Sequence, residues 1–354
     1  MLSDINSPHT QKWAMALANK GVQVAIFSIT QPALNWYSQH DIKLLNEFSE
    51  RKALSKIEYL RLLPMLKKAI FQFKPDIVHA HYATSYGLLG ALSGFHPFVI
   101  SVWGSDVMDF PNRSLLHKII LQYNFKKADR ICATSETLVD AIKKISAKKT
   151  DKIPFGIDTN YFKPSKISSI FPPSTIVIGT VKSLEKIYGI DILIKAFKIA
   201  VTNNSNRELR LLIVGGGSKE EEYKNLVIEL NLSDKVIFTG KIEHSKVVDY
   251  HNMIDIFINV SRNESFGVAV LEASSCEKPI IASKIGGLKE VVLNDKTGFL
   301  VEPENIEATA EAIQQLIENK GLCKKMGIDG RIFVQKQFDF NNNLAAAIAI
   351  YKEL

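Results

Sequence analysis

Short apolar runs alternate with helix-length amphipathic segments along almost the whole 354-residue chain. Each run is rich in Val, Ile, Leu and Phe and only a few residues long, which suits a strand buried on both faces of a sheet. Strands separated by helices form parallel sheets, because a parallel pair needs a long crossover connection. The alternation therefore predicts an α/β fold with doubly wound parallel sheets.

The alternation stops once and then restarts. Residues 158–175, DTNYFKPSKISSIFPPST, collect prolines and serines without a sustained period, which indicates a linker. A chain of this length also exceeds the size at which one core usually splits. We predict two Rossmann-like domains facing across a cleft, over residues 1–160 and 176–338. A linker over 161–175 joins them, and a closing helix over 339–354 packs back on the N-terminal domain.

The predicted strands place their carboxyl ends at the cleft, where open parallel sheets bind ligands. In the first half, after a helix over Thr10–Lys20, they are Val22–Ile29, Asp76–His79, Phe98–Val102 and Arg130–Ala133. In the second half they are Ile176–Gly179, Arg210–Val214, Val236–Thr239, Ile256–Val260, Pro279–Ala282 and Gly298–Leu300.

The first strand of the N-terminal domain is unusually short. A Rossmann-like domain opens with a full central strand, but only Met1 and Leu2 precede the loop SDINSPH. Either the sequence starts a few residues late or the strand itself is very short. A missing strand would leave an unfilled slot in the sheet and weaken the domain.

The bulk composition favours a folded cytoplasmic protein. A hydrophobic content of 46% and a charged content of 23% supply two packed cores. No apolar stretch approaches the ~20 residues of a membrane-spanning helix, and the N-terminus lacks the pattern of a secretory signal. The three cysteines have no metal-binding or redox spacing, so we expect reduced, buried thiols.

The formal charge of +7 fits an acidic partner. Much of the local excess lies in Arg51–Lys68, where apolar residues recur at helical spacing and Pro64 interrupts the pattern. A basic amphipathic helix of this kind lies on an anionic membrane surface or packs, solvated, on its own domain. No basic stripe with interleaved aromatic residues supports nucleic-acid binding.

The segment Ser261–Gly287, SRNESFGVAVLEASSCEKPIIASKIGG, carries the strongest chemical signal. Glu264 and Glu272 are eight residues apart, or ~12 Å along a helix. That separation suits one carboxylate at a transferred hexose and the other at the ribose of the same nucleotide sugar. Backbone N–H groups around Phe266–Val268 would bind an anion. As alternatives, Glu264 favours a helix N-terminus through the dipole and Glu272 is a surface acid.

At these residues the sequence resembles family 4 glycosyltransferases of the GT-B fold, which carry a Glu-x7-Glu motif. Further segments that resemble the family are His79–Leu92, Ser101–Val107, Ala128–Glu136, Ile153–Asp158, Tyr188–Phe197 and Thr297–Pro303. The resemblance implies a retaining, metal-independent transfer of a hexose-type sugar. The donor would be a nucleotide diphosphate sugar bound mainly by the second domain, and no separate cofactor is implied.

The same resemblance implies two cations for the donor phosphates on the loop GTVKSLEKIYG, after the first strand of the second domain. Lys182 lies where the family has an arginine, and Lys186 is the nearest candidate for its lysine. Tyr188 precedes Gly189 where lysine is common in the family. Both lysines would neutralise a diphosphate leaving group, although neither offers the bidentate fork of arginine.

The remaining donor-binding candidates follow other strands of the second domain. A glycine run after Arg210–Val214 would let the backbone approach the nucleoside closely, although a plain tight turn explains it equally well. The loop Lys241–Glu243 lies where the family holds the base. The predicted set comprises Gly215, Gly216, Ile242, Ser265, Phe266, Gly267 and Val268, together with Lys182, Lys186, Glu264 and Glu272.

In the first domain, Trp103 stands where the family often has a histidine close to the donor sugar. Asp106 is a plausible contact for acceptor or donor sugar, or a residue that caps a turn. His9, expected in the loop after the first strand, is the best histidine candidate. His79 and His81, expected after another strand, point toward the same edge.

The resemblance implies a front-face reaction in which the acceptor hydroxyl attacks from the side of the leaving group. The proposed catalytic groups are Glu264, Lys182, Lys186, Asp106 and His9. Bacterial relatives of this type suggest a glycan or lipid-linked acceptor in lipopolysaccharide, capsule or exopolysaccharide synthesis, at the inner face of the plasma membrane. The alternatives are a nucleotide-sugar 2-epimerase and a non-catalytic sugar-nucleotide-binding relative.

Overall fold

The computed structural model describes residues 1–46 and 58–354. In it the chain folds as two compact units, and the predicted α/β class with parallel sheets is confirmed. Unit 1 contains Met1–Phe155 and Asn341–Leu354, and unit 2 contains Gly156–Phe340. The division falls five residues before the predicted end of the first domain. No helix among the described residues is long and apolar enough to cross a membrane.

Unit 1 alternates strands and helices as predicted. Its elements are α1 (Pro8–Asn19), β1 (Ala25–Ile26), β2 (Lys43–Leu44), α2 (Leu63–Phe73), β3 (Val78–His81), α3 (Ser85–Ser93), β4 (Phe98–Val102), α4 (Ser105–Met108), α5 (Leu115–Lys127), β5 (Arg130–Ala133), α6 (Glu136–Lys143) and β6 (Thr150–Lys152). Short 3-10 turns cover Trp36–His40, Glu58–Leu62 and Phe110–Asn112.

Leu2 joins the two parts of the unit 1 sheet. The strands pair as β1–β2 and as β3–β4–β5–β6, all parallel, and Leu2 forms parallel bridges to both Phe27 and Ala80. With Leu2 counted as the first strand, the order is 3-2-1-4-5-6-7, which continues the doubly wound order. The central position of this sheet is thus held by a single bridging residue.

An open space of about 550 Å³ extends the central strand position toward the amino ends of its neighbours. Its lining includes Val22–Ala25 on one side and Asp76–Val78 on the other. The amine of Met1 donates to the carbonyl of Ala25 at 2.6 Å, as the backbone N–H of a strand residue would. This space, which we call the slot, lies beside the very short first strand.

Three predictions for unit 1 need correction. The strand expected over Val22–Ile29 is regular only at Ala25–Ile26, beside the slot. The strand expected over Asp76–His79 begins two residues later, so His79 and His81 lie within β3 rather than after it. His9 likewise lies in the first turn of α1 rather than in a loop, because Pro8 starts that helix early.

The predicted basic segment Arg51–Lys68 lies only partly within the description. Residues 51–57 fall outside the described residues, and Glu58–Leu62 form a 3-10 turn. Pro64 lies in the first turn of α2, where its missing N–H costs no hydrogen bond. It therefore helps to start a helix and does not interrupt one.

Unit 2 has a single sheet of six parallel strands. Its elements are β7 (Ile176–Val181), α7 (Ile190–Asn203), β8 (Leu209–Val214), α8 (Glu220–Glu229), β9 (Val236–Phe238), α9 (Val247–Met253), β10 (Ile256–Asn259), α10 (Val268–Ser275), β11 (Ile280–Ser283), α11 (Leu288–Val291), β12 (Gly298–Val301), α12 (Ile306–Glu318) and α13 (Lys320–Gln337). The order β9-β8-β7-β10-β11-β12 is the 3-2-1-4-5-6 order of dinucleotide-binding folds.

Both ends of unit 2 differ from a simple linker-and-domain picture. In the predicted linker, Phe162 and Phe171 are buried. Ser275 donates from its hydroxyl to the carbonyl of Phe162, so this stretch packs as part of unit 2. The last helix, α14 (Phe340–Lys352), belongs to unit 1 from Asn341 onward. Tyr351 and Ile350 on α14 pack beside β4 and β5.

The slot in the unit 1 sheet generates a stability prediction. We expect a four-residue extension of β-branched apolar residues before Met1 to pair with Val22–Ala25 and Asp76–Val78 and to raise the melting temperature of unit 1 by several degrees, because it buries apolar surface and completes a strand. Differential scanning calorimetry measures the change. A Gly-Ser extension of equal length is the control, and equal melting temperatures for the two would contradict the prediction.

Candidate functional site

The neighbouring strands β7 and β10 define the candidate site of unit 2. Their adjacency reverses the strand order, because β7 connects onward to β8 on one side while β10 continues to β11 on the other. Loops that leave such a pair diverge and open a crevice beyond the carboxyl ends of the strands. Lys182 follows β7 directly, and Glu264 lies on the loop after β10.

Lys182 and Glu264 form an ion pair in this crevice. The Nζ atom of Lys182 lies 2.5 Å from Oε2 of Glu264, and the side chains are only 15% and 11% exposed. The same Nζ lies 4.4 Å from the centre of the Tyr188 ring, a cation–π distance. The residue that replaces a common family lysine therefore supports the remaining cation.

Glycines after β8 and β11 pack directly against the backbones of the paired residues. A Cβ atom on Gly215 would lie 2.1 Å from the carbonyl oxygen of Lys182, and one on Gly286 would lie 2.0 Å from that of Glu264. Both glycines have positive φ angles. Gly287 donates its N–H to the Glu264 carbonyl at 3.0 Å. A side chain at Gly215 would displace the backbone of Lys182, and one at Gly286 would displace that of Glu264.

The second predicted phosphate lysine does not join this pair. Lys186 is exposed, and its side chain makes no hydrogen bond or ion pair within residues 1–46 and 58–354. Its carbonyl oxygen instead accepts a hydrogen bond from Arg262 at 2.6 Å. The structure thus brings together Lys182 and Glu264 and leaves Lys186 at the rim.

Arg262 ties the loop after β7 to the loop after β10 and was not predicted from the sequence. Its guanidinium contacts both carboxylate oxygens of Asp191 at 2.8 Å and also pairs with Glu304. Its backbone N–H donates to the carbonyl of Ile187 at 2.7 Å. The hydrogen bonds to Asp191 raise the pKa of Arg262 and lower that of Asp191 despite partial burial. An arginine two residues before Glu264 was the available signal.

Two histidines contact Glu272, which lies on α10. Oε2 of Glu272 lies 3.4 Å from Nε2 of the buried His251, and Oε1 lies 3.7 Å from Nε2 of the exposed His244. Burial opposes ionisation, but the two histidines outweigh it and lower the pKa of Glu272 to about 2. Glu272 is therefore an ionised carboxylate on α10.

The other predicted donor contacts lie on the loops and the helix start near Lys182, Glu264 and Glu272. Gly267 starts α10 with a positive φ, and Val268 is the first residue of that helix. Phe266 is buried against Phe338, with ring centres 5.9 Å apart, so it supports the turn through its side chain. Gly216 follows β8 beside Lys241, Ile242 is half-buried after β9, and Ser265 is half-buried beside Glu264.

In unit 1, Asp106 has a structural role. Its carboxylate is fully buried and accepts hydrogen bonds from the backbone N–H groups of Ala83 at 2.9 Å and Gly104 at 2.8 Å, with Trp103 at 3.2 Å. Burial raises its pKa, and these bonds oppose the rise. Both oxygens accept hydrogen bonds from backbone donors inside the turn, which fits the turn-capping alternative, and the contact with a sugar stays a prediction.

Aromatic rings gather beyond the carboxyl ends of the unit 1 strands. His9 stacks on Phe155 with ring centres 4.0 Å apart, and Trp103 meets both rings edge-on at 5.7 and 5.4 Å. His81 lies 5.0 Å from Trp103. His9 and Trp103 are half-buried. The predicted candidates His9, His81 and Trp103 therefore belong to one cluster, to which Phe155 is an addition.

His79 lies deeper, between β4 and α14. Its Nδ1 lies 2.6 Å from the Tyr351 hydroxyl and its Nε2 lies 2.8 Å from the Ser101 hydroxyl. Burial lowers the pKa of His79 to about 3, and burial together with the neighbouring His79 lowers that of His81 well below its usual value. Both rings are neutral at pH 7, and His79 has a packing role.

Comparisons with known proteins agree with this architecture. Residues 163–333 match the model of glycosyl transferases group 1, and residues 1–135 match that of glycosyl transferase 4-like domains. The two matches take in most of units 2 and 1 respectively. Both models describe glycosyltransferases, and together they cover most of the chain.

Curated relatives from bacteria and archaea span most of the chain. An uncharacterised glycosyltransferase of Methanocaldococcus jannaschii is 26% identical over 90% of this chain and 88% of its own. The N-acetyl-alpha-D-glucosaminyl L-malate synthase of Bacillus anthracis is 26% identical over 79% of this chain and 75% of its own. The capsular polysaccharide biosynthesis glycosyltransferase CapM of Staphylococcus aureus is 26% identical over 91% and 87%.

A solved structure supports the fold. Anabaena HepE, crystallised with UDP, superposes with a TM-score of 0.83 at 20% identity, over 100% of this chain and 99% of its own. The predicted GT-B class, with two Rossmann-like domains, is therefore confirmed. Neither the 2-epimerase nor the non-catalytic alternative is favoured, because both family models describe transferases.

The contacts of Arg262 generate a prediction for the site. Arg262→Met removes the fork that joins the two loops, so we expect amide hydrogen exchange in residues 183–189 to accelerate at least tenfold. Arg262→Lys should fall between the two, because lysine keeps the charge but loses the bidentate geometry. Arg210→Met, which removes an ion pair to Glu208 elsewhere in unit 2, is the matched control. Unchanged exchange in Arg262→Met would contradict the positioning role.

The buried histidines of unit 1 generate a pH prediction. The unfolded chain protonates His79 and His81 below about pH 6.5 while the folded chain keeps both neutral, so the free energy of unfolding falls as pH drops from 6.5 toward 3. The expected loss is about 1.4 kcal/mol per pH unit for each histidine. Urea unfolding at pH 7, 6 and 5 measures it.

The double variant His79→Gln/His81→Gln should show a shallower dependence of stability on pH, although its absolute stability is lower. His40→Gln, on an exposed turn, is the control and should keep the slope of the parent protein. Equal slopes in the double variant and the control would rule out these two histidines as the source of the pH dependence.

Proposed function

We propose that this glycosyltransferase moves a hexose-type sugar, with retention of configuration, from a nucleotide diphosphate sugar to a glycan or lipid-linked acceptor. In this proposal the reaction requires neither metal nor cofactor. The observation that carries it is the ion pair of Lys182 and Glu264 at the strand-order reversal of unit 2. A cation for phosphate and a carboxylate for sugar hydroxyls lie side by side where such a sheet binds nucleotides.

Donor binding exchanges the partners of this pair. The β-phosphate takes Lys182, and hydroxyl groups of the hexose take Glu264, since a carboxylate accepts hydrogen bonds from two hydroxyls. Each group has a partner before and after binding, an opposite charge for Lys182 and hydrogen-bond donors for Glu264, so neither is left unpaired in a largely buried place. Tyr188 keeps the ammonium of Lys182 at its position while the anionic partner changes.

The nucleoside extends from the pair along unit 2. Glu272 binds the ribose, and the backbone of Gly215, Gly216 and Ile242 lies beside the base and sugar. The separation of Glu264 from Glu272 along α10 and the ionised state of Glu272 support this orientation. Anabaena HepE was solved with UDP and with UDP-glucose, which makes a uridine donor the first to test.

The chemical step is a front-face displacement. The acceptor hydroxyl forms its bond to the anomeric carbon on the side from which the diphosphate leaves, and its proton passes to the departing β-phosphate oxygen. Lys182 stabilises the negative charge that develops on the diphosphate, and Glu264 orients the hexose. The residues of unit 2 therefore act by position and charge.

Unit 1 binds the acceptor in this proposal. The aromatic cluster of His9, Trp103 and Phe155 offers flat apolar faces with a few polar atoms, the usual composition of a small-ligand site. Similarity to CapM supports a role in capsule, lipopolysaccharide or exopolysaccharide synthesis, at the inner face of the plasma membrane. Similarity to the N-acetyl-alpha-D-glucosaminyl L-malate synthase makes a small hydroxy acid the alternative acceptor to test.

A thermal-shift panel with UDP-, GDP-, ADP- and dTDP-sugars tests the donor site. A sugar nucleotide at ~100 times its dissociation constant adds ~2.7 kcal/mol to the free energy of unfolding. We expect one nucleotide class to give this gain, and Lys182→Met and Glu272→Gln each to weaken binding at least tenfold. Lys195→Met, at an exposed position on α7, is the matched control.

Two outcomes would count against the proposal. Equal donor affinity in Lys182→Met and Lys195→Met would remove the phosphate assignment. Tight binding of a donor without nucleotide release in the presence of any glycan or lipid-linked acceptor would favour a binding protein over a transferase.

A further inference from the structure

Helix α5 exposes an apolar stripe to solvent. Leu115, Leu116, Ile119 and Tyr123 are 73%, 63%, 50% and 36% exposed. Leu115, Ile119 and Tyr123 follow one another at intervals of four residues, and Leu116 is the neighbour that widens the row, so all four share one face of the helix. The opposite face carries the buried residues Leu121, Asn124 and Phe125. We call the exposed row the α5 surface.

Along the helix itself, the charged residues beside this stripe are all basic. Arg113 precedes the helix, Lys118 lies beside Leu115, and Lys126 and Lys127 end it, all with exposed side chains. No aspartate or glutamate occurs from Arg113 to Lys127. The ammonium of Lys127 lies 5.9 Å from the Tyr123 ring. The α5 surface is therefore apolar at its centre and cationic at its margin.

We propose that the α5 surface docks on an anionic lipid bilayer, with the apolar stripe in the acyl–headgroup boundary and the basic residues at lipid phosphates. A helix with this pattern lies in the plane of an anionic interface. The inference rests on the membrane location within the proposed function, for which it names the contact. It uses none of the donor chemistry of unit 2.

The charge distribution favours a bilayer over a second copy of the chain. A symmetric dimer through this surface would bring Lys118, Lys126 and Lys127 of one copy against the same basic surface of the other, and like charges across an interface oppose association. An anionic bilayer has the opposite charge and is flat and extensive, so every basic side chain gains a partner. Each gain amounts to about a fivefold increase in partition.

Exposed apolar residues on α8 and α2 lack this combination. Ile228 on α8 is 63% exposed, but its helix carries Glu220, Glu221, Glu222 and Glu229, which an anionic bilayer would repel. Phe71 on α2 is exposed among lysines and belongs to the helix that continues the predicted basic segment, but the other exposed apolar residue of that helix, Met65, lies on a different face. Ile228 is the matched control. A variant at Phe71 distinguishes α2 from the α5 surface as the membrane contact.

Vesicle flotation of the full chain tests the proposal without any requirement for activity. We expect binding to vesicles of equal phosphatidylcholine and phosphatidylglycerol, at least tenfold weaker binding to phosphatidylcholine alone, and weakening by salt. Leu116→Gln/Ile119→Gln and, separately, Lys118→Gln/Lys126→Gln/Lys127→Gln should each reduce partition at least tenfold. Ile228→Gln should leave it unchanged, and Phe71→Gln should change it less than twofold.

An environment-sensitive fluorophore on Ile119→Cys reports insertion directly. Its emission should shift to shorter wavelength with anionic vesicles, whereas the same label on Ile228→Cys should not respond. These positions are exposed, so the melting temperature of each variant should match that of the parent protein and show that loss of binding is not loss of folding.

Three results would overturn the inference. They are no binding to anionic vesicles, equal binding by the parent protein and the α5 variants, and a concentration-dependent dimer that Leu116→Gln/Ile119→Gln abolishes while vesicle binding persists. Donor affinity measured on the same variants keeps the two proposals distinct. Failure of vesicle binding with intact donor binding rejects the α5 surface alone, and failure of donor binding with intact vesicle binding rejects the proposed function alone.

Discussion

The pairing of β7 with β10 decides where every candidate donor-binding group of this protein lies. The two strands are far apart in the chain, and four hydrogen-bonded neighbours extend outward from them in opposite directions. Their loops must therefore part at the carboxyl ends, which opens the crevice that receives Lys182 and Glu264. If β10 paired elsewhere, the same residues would be ordinary surface charges. Parallel hydrogen bonding thus creates the site before any side chain contributes to it.

The charged groups of the crevice have partners within unit 2. Lys182 pairs with Glu264, Glu272 contacts two histidines, and Arg262 pairs with Asp191 and Glu304. These contacts differ in how readily a ligand can replace them. The Arg262 contacts are bidentate and join loops, so they are structural, whereas the Lys182 contact is a single bond between flexible side chains that a diphosphate and a sugar can replace.

Unit 1 uses the same strand order for a different chemical surface. Leu2 occupies its central strand position, and an open slot lies next to it. Aromatic rings lie at its carboxyl edge, whereas charged side chains lie at that of unit 2. The carboxylate of Asp106, a predicted sugar contact, accepts hydrogen bonds from the backbone of the turn that carries Trp103. Helix α5 combines exposed leucine and isoleucine with lysine. The proposed binding of phosphate, sugar and lipid surface thus falls on separate elements.

The alternation of apolar runs and helices determined the α/β class and most strands of unit 2, because strands buried on both faces leave continuous hydrophobic runs. The spacing of Glu264 and Glu272 determined that two carboxylates share one helix and its preceding loop. Beyond these, the tertiary structure decided the outcome. Lys182 and Lys186 are equivalent in sequence, but only Lys182 follows a strand end that faces Glu264. Burial and partners, which depend on residues distant in the chain, separated Lys182 from Lys186.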